Sequence, residues 1–205
     1  MHQDILNQKQ LELLPLIHDF ADDFYLAGGT AIALKIGHRR SVDFDLFTEA
    51  ELNKPKISKT ILAKDYYPEL IYEEADQLHL LTNEVKLTFL HYPYQVQAKE
   101  AIGDIIDTPS LEVSAAMKAF TLGKRAKWKD YADLYFLLKN HLTTQDVVAA
   151  AKQMYKGLFN EKLFFQQLTY YDDIDYSEEV EYVGESISDQ DIKNFLTELA
   201  TRSFG

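Results

Sequence analysis

The stretch LAGGTAIALKIGHRRSVDFDLFT constrains the fold more than any other part of this sequence. Gly28 and Gly29 stand between FYLA, an apolar run that favours a strand, and a pattern over residues 30–36 that is typical of a helix. The segment SVDFDLF then alternates with the period of a β-strand, so Asp43 and Asp45 are expected on one face and Val42, Phe44 and Leu46 on the other. The sequence therefore predicts a strand, a glycine turn, a helix and an acidic strand in succession.

This succession has a chemical interpretation. Two carboxylates about 7 Å apart on one strand face can converge on a divalent cation, and oxygen-only ligands favour Mg²⁺, which takes further oxygens from substrate phosphates. Glycines without Cβ let backbone N–H groups approach a ligand, the following helix N-terminus attracts phosphate, and Thr30 adds a hydroxyl. Taken singly, the acidic pair could be an exposed strand face and the glycines a tight connection. Their combination favours a phosphate cradle beside a metal site.

The rest of the chain indicates an α+β fold, a small mixed sheet with helices followed by an all-helical half. LIYEEA, LHLLTN and EVKLTFLHY are strand-like, and the last two are joined by a turn. Beyond Pro109 the pattern is helical: Thr108 can cap a helix that starts at Pro109, and further helices are expected near residues 144–156, 160–168 and 189–202. We therefore predict an α+β domain over residues 1–100 and a helical domain over 101–205.

Composition excludes several classes of protein. The chain has no cysteine, so it can form neither disulfides nor thiolate metal sites, and no run of about 18 apolar residues is present. We expect a soluble cytoplasmic protein with no membrane partner. A net charge of -12 argues against a DNA-coating surface but leaves room for a local basic groove for RNA. The acidic stretch over residues 172–191 suggests a solvated loop, or alternatively a docking surface for a basic partner.

The segment LAGGTAIALKIGHRRSVDFDLF resembles the signature of the AbiEii-type nucleotidyltransferase-like toxins, members of the polymerase-β-like nucleotidyltransferase superfamily. AAMKAFTLGKRAKWKDYADLYFLL is similar to that family's second conserved block. The resemblance implies transfer of a nucleoside monophosphate from an NTP to an acceptor, with tRNA as one candidate acceptor and an antitoxin as one candidate partner. It also implies that the helical domain completes the active-site cleft.

The resemblance assigns roles to individual residues. It implies that Gly28, Gly29 and Thr30 contact phosphate and that Asp43 and Asp45 bind the metal. In the second block, Lys118 would neutralise triphosphate charge, and Asp130 would be the aspartate needed for activity. Asp133, one turn further on, could do the same work. From the residues alone, Lys118 could equally lie on a solvated basic face, and Lys129 with Asp133 could be an ordinary i,i+4 ion pair.

Arg39 and Arg40 have two interpretations. Basic residues that end a helix complement its dipole, which is the favoured explanation for them and for Lys35. Alternatively, Arg39 or Arg40 contacts phosphate or an RNA acceptor.

One position departs from the superfamily pattern. A third carboxylate is expected on a later strand, and alternation in EVKLTFLHY sends Glu84, Lys86 and Thr88 toward the site face. The expected position holds Thr88, which supplies no carboxylate. We therefore expect one firmly bound Mg²⁺, with a second metal weak or assembled only with substrate. The alternative to an enzyme is a non-catalytic module that keeps the fold to bind nucleotide or a partner protein.

Overall fold

The computed structural model describes residues 1–184 and 187–202 and divides into two compact units, Met1–Ser110 and Leu111–Gly205. The first unit is α+β and the second is helical, so the predicted fold class is confirmed. Among the described residues, no helix combines the length and apolar character needed to cross a bilayer.

Within the described residues of the first unit, five strands form one mixed sheet in the order β1-β2-β5-β4-β3. Neighbouring strands pair antiparallel except β2 and β5, which run parallel. The strands are β1 (Tyr25–Ala27), β2 (Phe44–Thr48), β3 (Glu69–Glu74), β4 (Gln77–Thr82) and β5 (Val85–His91). A separate hairpin joins β6 (Ala98–Ile102) to β7 (Ile106–Pro109).

One face of the large sheet packs into the core of this unit. Alternation places Phe44 and Leu46 of β2 and Phe89 of β5 on that face, and all three are fully buried. The ring of Phe89 meets those of Phe20 and Phe24, with centroids 4.9 and 5.3 Å away. The helices of this unit are α1 (Gln8–His18), α2 (Gly28–Ile36) and α3 (Lys54–Leu62). Burial of this face leaves the opposite face for polar side chains.

The unit boundary lies at Ser110 rather than near residue 100. The β6–β7 hairpin belongs to the first unit, although its sequence shows no clear alternation. Lys35 of α2 holds it there by donating a hydrogen bond to the carbonyl oxygen of Pro109 and by an ion pair with Glu100 at 2.6 Å. Pro109 accordingly ends β7, and the next helix starts at Leu111, so the proposed Thr108 cap and Pro109 start were wrong. Gly103, at φ +56° in the turn, is the residue from which this hairpin could have been predicted.

The second unit consists of helices α4 (Leu111–Leu122), α5 (Trp128–Asn140), α6 (Thr144–Tyr155), α7 (Glu161–Gln167) and α8 (Asp189–Arg202). The last three lie where periodicity predicted them. Tyr131 and Leu134 of α5 are fully buried, and the rings of Phe120 and Tyr155 stack with centroids 3.8 Å apart. This unit therefore has an apolar core of its own.

Most acidic side chains in the described part of the stretch over residues 172–191 are exposed to solvent, and the chain is anchored at two points. The backbone of Asp175 exchanges hydrogen bonds with the chain entering α5, and Lys127 and Lys129 both donate to Glu178. Burial raises the pKa of Glu178, but the hydrogen bonds from the two lysines outweigh it and bring the pKa to about 2. Glu185 of this stretch lies outside the described residues.

Candidate functional site

Asp45 lies directly against the glycine turn. It sits in β2 opposite Ala27, the last residue of β1, and Gly28 follows with φ +71°. A Cβ built on Gly28 would stand 2.1 Å from Oδ2 of Asp45. Glycine is therefore required here twice, for its backbone conformation and for the space that the Asp45 carboxylate occupies.

The N-terminus of α2 lies beside this carboxylate. Its N-cap, Ala27, offers no side-chain hydrogen bond to the first turn, whose N–H groups have no intrahelical partner by geometry. Such an uncapped helix start attracts anions. Gly28 and Gly29 are its first two residues, and Thr30 is the third.

The hydroxyl of Thr30 is engaged inside the protein. Thr30 is 1% exposed, and its Oγ1 lies 2.7 Å from Oγ of Ser41 and hydrogen-bonds the carbonyl oxygen of Asp43. Thr30 thus braces the chain segment that enters β2, which holds Asp43 in place.

Asp43 precedes β2 by one residue, and its carboxylate forms an ion pair with Lys86 of β5, Oδ2 to Nζ, at 3.0 Å. Lys86 shares a strand face with Thr88, and Thr88 pairs directly with Asp45. Asp43 and Asp45 therefore belong to the same face, as alternation predicted. Val42 does not follow the pattern: it is 62% exposed because β2 begins only at Phe44.

A row of side chains crosses the whole sheet on this face, and no local sequence pattern indicates it. Successive strand partners are Ala27 with Asp45, Asp45 with Thr88, Thr88 with His79, and His79 with Tyr72. Directly paired residues project to the same face of a sheet. His79 therefore joins the face of the two aspartates, one strand beyond the position where the third carboxylate was expected.

Glu84 does not contribute to this face. It lies in the turn before β5 at φ +65°, and its carboxylate pairs with Lys9 of α1 at 3.3 Å. The expectation from alternation was wrong here because β5 begins one residue later, at Val85.

The imidazole of His79 has an unusual environment. Its Nε2 is buried and finds no hydrogen-bond partner among the residues that the structure describes. Burial lowers the pKa of His79, and nearby Lys86 lowers it further, while Asp45 and Asp43 oppose the shift. The ring of Tyr72 lies beside it, with centroids 5.3 Å apart.

The two aspartates fit a cation that also takes ligands from elsewhere. Across residues 1–184 and 187–202, no three His, Asp or Glu side chains gather closely enough to hold a metal ion by themselves. Mg²⁺ suits such a pair because it binds through one or two carboxylates and completes its shell with water and substrate phosphates. The space that a Cβ at Gly28 would fill holds one of these carboxylates, beside a helix start that attracts phosphate.

The basic residues at the end of α2 and just after it contact other parts of the fold. Arg39 is only 5% exposed, and its Nη1 donates to the carbonyl oxygen of Arg40 at 2.9 Å. Arg40 donates to the carbonyl oxygen of Asp4 at 3.1 Å. Lys35 holds the β6–β7 hairpin. Contact between Arg39 and phosphate stays a prediction.

In the second unit, Lys118 of α4 lies in a buried charged cluster with Asp130 and Asp133 of α5. Its Nζ is 2.5 Å from Oδ1 of Asp130 and 2.8 Å from Oδ2 of Asp133, and neither aspartate has exposed side-chain surface. Nε of Arg125 lies 3.4 Å from the second oxygen of Asp130. Lys129 pairs with Glu178 instead of Asp133. Lys118, Asp130 and Asp133 thus form one buried charged cluster, which their spacing in the sequence did not show.

Three comparisons with known proteins bear on this geometry. Residues 16–79, which hold the glycine turn, both aspartates and His79, match the family model described as nucleotidyl transferase AbiEii toxin, Type IV TA system. An uncharacterized protein of Aquifex aeolicus is 31% identical over 175 residues, with 82% of this chain and 84% of that protein covered.

Solved structures share the fold. MenT4, a nucleotidyltransferase toxin from Mycobacterium tuberculosis, superposes with a TM-score of 0.62 over 94% of this chain and 81% of its own, at 11% identity. A candidate nucleotidyltransferase from H. pylori gives 0.57 at 16% identity, covering 96% and 95%. At these identities the likeness concerns the fold alone.

Proposed function

We propose a function from one premise: this chain belongs to the AbiEii nucleotidyltransferase toxin family. The function is Mg²⁺-dependent transfer of a nucleoside monophosphate from an NTP to a hydroxyl of an acceptor, with RNA such as tRNA as the acceptor. One observation carries this proposal. The Asp45 carboxylate occupies the space beside Gly28 at an uncapped helix start, where a polyphosphate and a cation would meet.

In this proposal the first unit binds the triphosphate. The N–H groups at Gly28 and Gly29 receive phosphate oxygens, since the helix dipole and the unpaired N–H groups favour an anion there. Thr30 contributes by fixing Asp43 rather than through a free hydroxyl. Asp43 and Asp45 would hold Mg²⁺, which supplies charge neutralisation and alignment of the phosphates when bound. Lys86 pairs with one oxygen of Asp43, and its ammonium lies close enough to the metal ligands to contact a bound phosphate.

In the second unit, we propose that Lys118 and Asp130 are required for transfer. Support comes from the resemblance of this segment to the family's second block and from the cluster itself, which holds the Lys118 ammonium between two buried carboxylates. An ammonium held by two carboxylates in this way has a defined position. Arg39 is a weaker candidate for phosphate contact because its guanidinium is buried.

The family also supports a cellular role. Its model names a type IV toxin-antitoxin system, so we propose that this protein is the toxin of such a pair and that an antitoxin opposes it.

A second candidate function is a non-catalytic module that binds nucleotide or a protein partner. Two observations favour it: Thr88 stands beside Asp45 where a third carboxylate would be expected, and Lys86 forms an ion pair with Asp43.

A labelled-transfer assay separates the two candidates. Purified protein is incubated with each α-³²P-labelled NTP, total RNA and Mg²⁺, and RNA and protein are both analysed for label. We expect label on RNA with the wild type, none with Asp45→Asn or after EDTA treatment, and wild-type labelling with Asp104→Asn, which alters an exposed aspartate of the β6–β7 turn. NTP binding by calorimetry without any transfer would favour the non-catalytic module, and absence of both would remove both candidates.

A further inference from the structure

His79 is the polar group of the site face that the proposed function leaves without a role. It lies in the row Asp45, Thr88, His79 across three adjacent strands. With strands about 4.8 Å apart, its Cα is about 10 Å from that of Asp45. The side chain between them is threonine, which is shorter than histidine and carries no charge. The imidazole is therefore the first group beyond Asp45 in this row that can accept a proton at neutral pH.

The state of the ring supports a ligand-directed role. A buried nitrogen without a hydrogen-bond partner costs about 1–3 kcal/mol, so such groups are rare and call for an explanation. Nε2 of His79 is such a nitrogen among the described residues. Two neighbours of the ring are partly exposed, Tyr72 at 42% and the Lys86 side chain at 35%. His79 itself is only partly buried, so an incoming acceptor can approach the ring.

We infer that His79 accepts the proton of the attacking hydroxyl, and so performs the task that a carboxylate at position 88 would otherwise perform. This inference rests on the proposed function. A bond forms between the acceptor oxygen and the α-phosphorus, and the bond from that phosphorus to the oxygen bridging toward the β-phosphate breaks. Pyrophosphate leaves with the electron pair, and the hydroxyl proton passes to His79 and then to water.

The charged surroundings of the ring suit this task. Asp43 and Asp45 approach from the side of β2, Lys86 lies on β5, and Tyr72 lies on β3. Burial and Lys86 keep the pKa of His79 below its ordinary value of 6.5. The imidazole is therefore neutral at pH 7 and can take up a proton.

The test uses three variants in the labelled-transfer assay. His79→Gln keeps a polar side chain that takes up no proton, Thr88→Asp restores the expected carboxylate, and the double variant combines them. General-base catalysis contributes about 10²- to 10⁴-fold, so His79→Gln should slow transfer by that factor while NTP binding by calorimetry stays unchanged. The double variant should transfer label at least tenfold faster than His79→Gln. His91→Gln, on the opposite face of β5, is the matched control and should transfer like the wild type.

The pH profile gives a readout that a structural role would not move. Wild-type transfer should fall in acid as His79 becomes protonated, and in the double variant this acid limb should move to lower pH, since a carboxylate has replaced the imidazole. The pH profile of the wild type is measured without any variant, so it still tests the role of His79 if His79→Gln folds poorly.

Each remaining outcome overturns a defined statement. Unchanged transfer by His79→Gln, an equal loss of NTP binding and transfer, or a double variant no faster than His79→Gln would refute the role of His79 and leave the proposed function standing. A wild type that transfers no label would refute the proposed function, and the role of His79 with it.

Discussion

The space beside Gly28 gives the sharpest prediction. In Gly28→Ala the new Cβ would lie 2.1 Å from Oδ2 of Asp45, so the carboxylate must withdraw by about 1.3 Å to reach ordinary contact at 3.4 Å. Misplacement of a reacting group by about 1 Å can cost about 10²-fold in rate. The left-handed backbone at φ +71° adds about 1–2 kcal/mol of lost stability.

Gly37→Ala separates these two effects. Gly37 has nearly the same backbone conformation, φ +67°, but the three atoms nearest its Cβ would all belong to the side chain of His2, which is half-exposed and can rotate away. Both variants should therefore lose about 1–2 kcal/mol in urea unfolding. Only Gly28→Ala should lose about 10²-fold in labelled transfer and bind Mg²⁺ with NTP more weakly. Equal transfer by the two variants would refute the reasoning that the glycine exists to seat the Asp45 carboxylate.

Three further predictions concern stability. Lys118→Met leaves two buried carboxylates without their shared cation and should cost about 3–5 kcal/mol in urea unfolding, whereas Lys152→Met, which breaks an exposed pair with Glu161, should cost less than about 1 kcal/mol. Similar losses of stability in the two variants would contradict the conclusion that Lys118 lies in a buried charged cluster. The pKa of Glu178 is lowered from 4.5 to about 2, so its contribution to stability is present above pH 4.5 and lost as pH falls toward 2. Glu178→Gln should therefore lower the urea midpoint at pH 7 and match the wild type near pH 2, and a constant difference across this range would exclude the ion pairs as the cause. Asn7→Ala removes the capping box of α1 and should cost about 1 kcal/mol, which a thermal melt would detect.

The sequence by itself determined the features that depend on neighbours along the chain. The period of two around Phe44 and Leu46, the Gly28 turn and the period of α5 each reflect backbone geometry within a few residues, so they predicted the acidic strand, the strand-to-helix turn and the helical second half. Predictions failed where an element began one or two residues later than the pattern allowed, as at Val42, Glu84 and Pro109.

Only the tertiary structure decided which distant side chains meet. Strand order and register bring Lys86 to Asp43 and set His79 beside Thr88, and no local pattern encodes the partner of a strand. The packing of α4 on α5 likewise turns Lys118 from a surface cation into the centre of a buried cluster. Charge chemistry at the site therefore depends on contacts between residues far apart in sequence, because burial and pairing, rather than residue type, set the state of each ionisable group.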